Sequence, residues 1–69
     1  MEIIKIRDDY IKLGQAVKLA GLVQSGVEAK MEIQEGLVKV NGKVELQRGK
    51  KIYTGDVIEY DGQQIRVEN

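Results

Sequence analysis

The residues best suited to chemistry in this chain lie around a predicted helix start at Ser25. The segment Ser25-Gly26-Val27-Glu28 has the form of a capping box, in which the serine hydroxyl accepts a hydrogen bond from the amide three residues later. The free amides of the first helical turn point outward and the helix dipole adds positive potential, so such a helix start favours a phosphate group. Gly26 has no side chain and would allow a nucleic-acid backbone to approach closely. We therefore predict a phosphate-binding position at Ser25 and Gly26.

Basic side chains accompany this helix start and predict a surface that faces a polyanion. The formal net charge is zero, but residues 12–51 carry eight Lys or Arg against four Glu, a net charge of +4. Residues 1–11 carry two basic against three acidic residues, and residues 52–69 carry one against four. Besides Ser25 and Gly26, the candidate contact residues are Lys12, Lys18, Lys30, Lys39, Asn41, Lys43, Arg48, Lys50 and Lys51. For any single lysine a solvated surface is the simpler interpretation, and it is the group that favours binding.

The residue types that most often perform catalysis are missing. The chain has no His and no Cys, so it lacks the commonest general base, the strongest side-chain nucleophile, disulfides and the usual zinc ligands. Ser25 already serves as a helix cap, and no Asp or Glu pair lies in an apolar run. Gly14, Gly21 and Gly26 have the spacing of glycines near helix ends and do not form a phosphate-cradling loop. We predict no enzyme activity, no catalytic residue, no metal, no cofactor and no small-molecule substrate.

Two short helices are predicted to position the candidate residues. The first has apolar residues at i, i+3, i+4 and i+7 and then a helix-ending glycine, namely Leu13, Ala16, Val17, Ala20 and Gly21. The second begins at Ser25, buries Ala29 and Ile33 on one face, and ends at Gly36. Residues 22–24 join the two helices into a hairpin too small to fold alone. Leu19 falls on the polar side of the first helix, and we expect it to pack under the N-terminal strand.

After Gly36 the apolar spacing changes from the helical period to alternation, which indicates strands. Residues 37–40 and 43–46 surround Asn41-Gly42, a pair typical of the type I′ turn of a β-hairpin. Residues 48–51 form a basic loop, and further strands are predicted at 1–6, 52–53, 57–60 and 63–67. The predicted fold is α+β, with a two-helix hairpin packed on a small, mostly antiparallel sheet of about five short strands.

The length and composition favour one small soluble domain. We expect residues 1–69 to form it, because 69 residues suffice for one domain and the fractions of hydrophobic (42%) and charged residues (32%) are those of a folded chain. No apolar run approaches the roughly 20 residues that cross a bilayer. Residues 1–10 also lack the apolar segment of a signal peptide. We therefore expect no membrane partner and a cytoplasmic location.

Four segments between residues 12 and 60 resemble, in order and spacing, the RNA-binding domain named after ribosomal small-subunit protein four (the S-four or alpha-L domain). The first is Leu13…Val17…Ala20-Gly21-Leu22-Val23, and the second is Ser25…Glu28-Ala29-Lys30…Ile33. The third is Glu35-Gly36…Val38-Lys39-Val40-Asn41-Gly42-Lys43, and the fourth is Gly55-Asp56-Val57-Ile58. The third and fourth together are the most specific. The stretch of residues 13–26, together with residues 48–51, is similar to the small stand-alone bacterial YaaA/YbcJ-like subgroup.

The resemblance implies an alpha-L helix hairpin that binds structured RNA, commonly ribosomal RNA, without catalysis and in ribosome assembly or translation. It assigns the basic position that opens the first helix to Lys12 and the serine of the second helix to Ser25. The basic residue after Glu-Ala is Lys30, and the hairpin lysines are Lys39 and Lys43.

Two positions depart from the family pattern. Gly26 stands where many members carry Arg, and Gln15 stands where many carry Lys. Both departures remove charge from the expected RNA face. They predict weak binding by the isolated chain, or binding that depends on residues 48–51 and on an assembled ribosomal particle.

A protein-interaction adaptor that uses the helix pair or a sheet edge is the alternative interpretation, favoured by the neutral net charge and by Leu19. Stacking of bases on aromatic rings has little support, because the chain has no Trp, no Phe and three Tyr. Tyr53, beside the basic loop, is the one candidate for stacking, and Tyr60 is expected to pack in the fold. The sequence does not define an oligomeric state, although a sheet edge offers a pairing surface.

Overall fold

The computed structural model describes residues 1–69, which form two helices and seven strands. In chain order these are β1 (Glu2–Lys5), β2 (Tyr10–Lys12), α1 (Leu13–Leu19), α2 (Gly26–Gln34), β3 (Val38–Val40), β4 (Lys43–Val44), β5 (Lys51–Tyr53), β6 (Val57–Tyr60) and β7 (Gln63–Glu68). The predicted α+β fold with a mostly antiparallel sheet is confirmed.

The strands form two sheets. The larger has five strands in the order β1-β7-β6-β3-β4, in which the β1–β7 pair is parallel and the other pairs are antiparallel. β2 and β5 form a separate antiparallel pair. The sequence did not predict β2, which leads directly into α1 at Leu13. This small second sheet connects the start of α1 to the segment that follows the basic loop.

The core consists of fourteen buried residues, all of them apolar. The helices contribute most of the predicted faces, Leu13, Ala16 and Val17 from α1 and Ala29 and Ile33 from α2, whereas the predicted Ala20 is only partly buried. The remaining core residues are Ile4, Ile6, Val23, Val38, Val40, Ile52, Ile58, Ile65 and Val67. Since no polar side chain is buried, burial of apolar surface is the main favourable contribution to folding. Truncating a fully buried isoleucine to alanine would therefore cost about 2–5 kcal/mol.

Both helices end at the predicted glycines, and α2 begins at the predicted cap. Gly21 has φ +78° and Gly36 has φ +80°, the left-handed conformation that favours glycine at a helix end. The Ser25 hydroxyl accepts a hydrogen bond from the Glu28 amide at 3.1 Å. The Glu28 carboxylate in turn accepts from the Gln24 amide at 2.7 Å, one residue before the amide that a standard capping box uses.

The Asn41-Gly42 turn connects the two segments that are most specific for the family. Asn41 has φ 52° and Gly42 has φ 85°, as a type I′ turn requires. The Asn41 side chain donates to Asp56 Oδ1 at 3.0 Å and accepts from the Val57 amide at 2.9 Å. The second Asp56 oxygen accepts from the Tyr53 amide at 2.8 Å. These side chains therefore hold the β3–β4 turn against the β5–β6 turn.

The expectation for Leu19 is wrong. Its side chain is 57% exposed instead of packed under β1. An open groove separates α1 from the end of β1 and the residues after it, and Leu19 lines this groove opposite Lys5 and Ile6. The N-terminal strand pairs with β7 in the larger sheet. No helix has the length and apolar character needed to span a bilayer.

Candidate nucleic-acid interface

A groove of about 360 Å³ lies where the two helices meet the loop between β4 and β5. Its lining residues come from β2, α1, the start of α2 and the loop, namely Lys12, Gly14, Gln15, Lys18, Gly26, Ala29 and Arg48. We call it the basic groove. Lys12, Lys18, Gly26 and Arg48 belong to the predicted contact residues, and the structure brings these four together although they span 37 positions of sequence. Their convergence makes a concave surface with three cationic side chains, those of Lys12, Lys18 and Arg48.

The basic loop is fixed to the start of α1 by its own backbone. The Leu13 amide donates to the Lys50 carbonyl at 2.9 Å, and the Gly14 amide donates to the Arg48 carbonyl at 2.9 Å. Two amides of the first turn, which have no acceptor within the helix, are therefore satisfied by the loop. A Cβ added at Gly14 would lie 3.4 Å from the Arg48 Cβ, so there is room for little more than a methyl group between helix and loop. Arg48 thus has a defined position beside Lys12 and Lys18.

The start of α2 differs from that of α1 because it faces open space. The amides of Gly26 and Val27 belong to the first helical turn and have no helical acceptor. A Cβ added at Gly26 would meet no heavy atom within 4 Å. Since Gly26 lines the basic groove, an anion in the groove can approach its backbone without steric hindrance.

The opposite side of α2 is acidic. Glu28, Glu32 and Glu35 line a second surface together with Ser25, Val27 and Met31. Ser25 lies on this side, and its hydroxyl is engaged in capping. The helix therefore separates a cationic groove from an acidic surface, and a polyanion would be directed to the groove. The structure gives Ser25 a structural role, and its contact with RNA stays a prediction.

Three further predicted lysines lie at the margins of the basic groove. Lys30 follows Gly26 by one helical turn and therefore lies on the same side of α2. Lys50 belongs to the docked loop, and Lys51 begins β5 directly opposite Lys12 on β2. All three side chains are exposed. Like charges directly opposite each other destabilise a strand pair, so the Lys12–Lys51 pair gains stability when an anion lies beside it.

The structure does not bring Lys39 and Lys43 into the basic groove. Val38 and Val40 point into the core, so the alternation of a strand places Lys39 on the other face of the larger sheet, with Glu59 as its neighbour on β6. Lys43 is at the hairpin end, opposite Val40. This placement does not support the predicted contact of the two lysines with RNA, and the interface proposed below does not include them. For Asn41 the structure shows only the hydrogen bonds between turns described above.

The three tyrosines have different surroundings. Tyr60 is half-buried against the core, as expected, and its hydroxyl donates to Glu32 at 3.1 Å. This hydrogen bond, with burial and the nearby negative charges, raises the pKa of Tyr60 above its ordinary value. Tyr10 and Tyr53 face each other across the β2–β5 pair on the surface. Tyr10 was not among the residues predicted to contact RNA. The only sequence signal for it was its spacing of two residues from Lys12, which puts both side chains on one face of a strand.

The architecture and the groove define a small α+β domain with a concave surface at its helix starts that is lined by cationic side chains. The family model of the S4 domain, which is the S-four family, matches residues 4–68. The chain belongs to the S4 domain family, as the sequence motifs predicted.

Curated relatives agree with this assignment. The chain is 46% identical over 59 residues to RlbA of Bacillus subtilis (strain 168), a protein provisionally named for ribosome maturation; the match covers 86% of this chain and 83% of RlbA. It is 38% identical over 58 residues to YbcJ of Escherichia coli (strain K12), provisionally named as RNA-binding, with 84% and 83% covered. The predicted resemblance to the YbcJ-like subgroup is therefore confirmed.

Proposed function

We propose that this protein is a non-catalytic RNA-binding module that recognises structured RNA, with ribosomal RNA as its target, in ribosome assembly or translation. The observation that carries the proposal is the basic groove, where Lys12, Lys18 and Arg48 converge beside the open helix start at Gly26. Membership of the S4 domain family and the names of the relatives RlbA and YbcJ support it. We infer a location in the bacterial cytoplasm, where ribosomal RNA is found.

Recognition through this groove depends on phosphate positions and helix shape. The major groove of A-form RNA is too deep and narrow for side chains to read, so proteins bind RNA helices through phosphates and 2′-hydroxyls. The basic groove presents cationic side chains and a backbone amide, which are groups suited to phosphate oxygens. If three to five phosphates are contacted, the slope of log K against log salt is about −0.7 to −0.9 for each contact.

The missing charges at Gly26 and Gln15 make binding by the isolated protein modest. Both residues line the basic groove, so a basic side chain at either position would act directly on the bound RNA. We infer that an assembling ribosomal particle provides the additional contacts. The protein would then act on a site formed by folded ribosomal RNA.

The test is crosslinking in cells followed by sequencing of the attached RNA, with two double variants that remove the same charge. Lys18→Ala/Arg48→Ala changes the basic groove, whereas Lys39→Ala/Lys43→Ala changes the hairpin away from it. We expect discrete ribosomal RNA segments with wild type and with the hairpin variant, and their loss with the groove variant. No enrichment with wild type would overturn the proposed function, and loss only with the hairpin variant would move the interface to the larger sheet.

The exposed Leu19, together with the neutral net charge, favours the protein-interaction adaptor. Leu19→Ala removes its side chain from the surface without removing charge. We expect this variant to keep its RNA crosslinks. Loss of a co-purified protein with intact RNA crosslinks would show a second, separate interaction at this surface.

A further inference from the structure

The two-stranded sheet has one face in the core and one face in solvent. Ile11 and Ile52 are paired on the inner face, where Ile52 is fully buried. The outer face carries two directly opposed pairs, Tyr10 with Tyr53 and Lys12 with Lys51. We call these four residues the tyrosine face. The sequence places Tyr10 and Tyr53 more than 40 positions apart, and only the strand register brings them together.

The rings of the tyrosine face lie close to each other and to a cation. The ring centroids of Tyr10 and Tyr53 are 5.9 Å apart with an interplanar angle of 50°. The Lys51 Nζ lies 4.8 Å from the centroid of the Tyr10 ring, within the range of a cation–π interaction. Tyr53 is 48% exposed, so part of its ring surface is available to a planar ligand.

A structural role accounts for these residues only in part. The cross-strand aromatic pair and the cation–π contact of Lys51 with Tyr10 stabilise the sheet, but the directly opposed Lys12 and Lys51 repel each other. Surfaces that bind single-stranded nucleic acid combine aromatic rings, on which bases stack, with cations that contact the backbone. The tyrosine face has both groups, and it is open to solvent.

The tyrosine face is also continuous with the basic groove. Lys12 lines the groove and belongs to the face. On the other side, Lys51 directly follows the loop whose carbonyls hold Arg48 and Lys50 against α1. A nucleic-acid strand that leaves the groove past Lys12 therefore reaches the two tyrosine rings next.

We propose that the tyrosine face binds an unpaired nucleotide adjoining the RNA helix held in the basic groove. Its base stacks on the Tyr53 ring, and the phosphates on either side of it contact Lys12 and Lys51. This inference depends on the proposed function and specifies the RNA that the protein selects. The selected feature is a junction between paired and unpaired RNA, and not a continuous duplex.

The test compares two RNAs that differ only in an unpaired end. One is a blunt duplex of 12 base pairs, and the other is the same duplex with a 3′ overhang of three adenosines. One base stacked on an aromatic ring contributes about 1–3 kcal/mol, so wild type should bind the overhang RNA about 5-fold to 150-fold more tightly. Tyr53→Leu should lose this gain and Tyr53→Phe should keep it. The ring protons of Tyr53 should shift in NMR spectra with the overhang RNA and not with the blunt duplex.

Different binding results would overturn the stacking site and the RNA-binding module. Equal affinity of wild type for the two RNAs, or an undiminished gain in Tyr53→Leu, would overturn the stacking site while duplex binding still supports the RNA-binding module. Absence of binding to both RNAs would overturn both proposals. Lys18→Ala is the matched control, because it should weaken binding of the two RNAs by the same factor and leave the overhang gain unchanged.

Discussion

Gly26 opens α2 and lines the basic groove, yet a Cβ added there would meet no heavy atom within 4 Å. Its backbone is not in the left-handed conformation, so a larger residue fits without strain. The family's Arg at this position would therefore extend into free space next to Lys18 and Arg48. The fold does not require a glycine at this position.

Gly26→Arg should accordingly raise RNA affinity by about 3-fold to 10-fold through one additional phosphate contact. The measurement is titration of a labelled RNA duplex at fixed salt. Val27→Arg adds the same charge to the neighbouring residue, which is 71% exposed and lies on the acidic side of α2. An equal gain from both variants would show that overall charge, and not the groove, determines the affinity.

Asn41 combines a left-handed backbone with hydrogen bonds to Asp56 and Val57. Asn41→Gly keeps the backbone conformation but loses two side-chain hydrogen bonds, which costs about 1–3 kcal/mol of the free energy of unfolding. Asn41→Ala also introduces a side chain that disfavours this φ, which adds about 1–2 kcal/mol. Urea unfolding measures the free energy of unfolding of both variants. Equal values for the two would show that the left-handed conformation of residue 41 does not affect stability.

Tyr60 links stability to pH at the alkaline end. Its pKa is raised above the ordinary value of 10.0, chiefly by its hydrogen bond to Glu32, so the folded state holds the phenolic proton more firmly than the unfolded state does. The resulting stability is complete below about pH 10 and is lost as the pH rises through the folded-state pKa. Between pH 9 and 11, unfolding free energies should fall more steeply for wild type than for Tyr60→Phe. Tyr53→Phe, which removes the hydroxyl of a surface tyrosine, is the matched control.

At the scale of elements, the contact between α1 and the basic loop determines the shape of the groove. A methyl group at Gly14 would lie 3.4 Å from the Arg48 Cβ, which is ordinary contact, but there is little room beyond it. Gly14→Ala should keep RNA binding and raise stability by up to about 1 kcal/mol through helix propensity. Gly14→Val should displace the loop and lower RNA affinity. Thermal unfolding and RNA titration of the two Gly14 variants test these expectations. Unchanged RNA affinity in Gly14→Val would show that the position of the basic loop does not affect RNA binding.

The elements that the sequence predicted are those with local signals. The helix faces, the glycine helix ends and the Asn41-Gly42 turn each depend on residues close together in the chain. β2 was missed because it has three residues, runs without a break into α1, and pairs with β5 about 40 positions later. Leu19 was misplaced for a related reason, since the position of β1 depends on its pairing with the distant β7.

The residue types of the candidate site could be predicted from the sequence, but their arrangement in space could be predicted only in part. The residue types identified Lys12, Lys18, Gly26 and Arg48, which the structure brings into one groove. Lys39 could have been separated from them in advance, because alternation with the buried Val38 and Val40 places it on the outer face of the sheet. Tyr10 could not be paired with Tyr53 from local patterns, since a strand register carries no local signal.

At the scale of the whole molecule, charge separation matters more than net charge. Eleven basic and eleven acidic residues give a net charge of zero, so the protein as a whole exerts little attraction on RNA at long range. The groove nevertheless places its cations on one side of α2 and the acidic residues of α2 on the other. Beyond the Debye length of about 8 Å at physiological salt, such local charges are screened. Binding should therefore depend on direct phosphate contacts in the groove.

The salt dependence of RNA affinity reports the number of phosphate contacts in the groove, and matched variants separate their effect from that of the net charge. Each phosphate contact contributes about −0.7 to −0.9 to the slope of log K against log salt, so Lys18→Ala/Arg48→Ala should make the slope less negative by about 1.4 to 1.8. Lys39→Ala/Lys43→Ala removes the same net charge outside the groove and should leave the slope unchanged. Titrations of one RNA duplex at several potassium chloride concentrations measure all three proteins. Equal changes of slope in the two variants would mean that RNA responds to total charge, in which case the convergence of Lys18 and Arg48 beside Gly26 has no part in recognition.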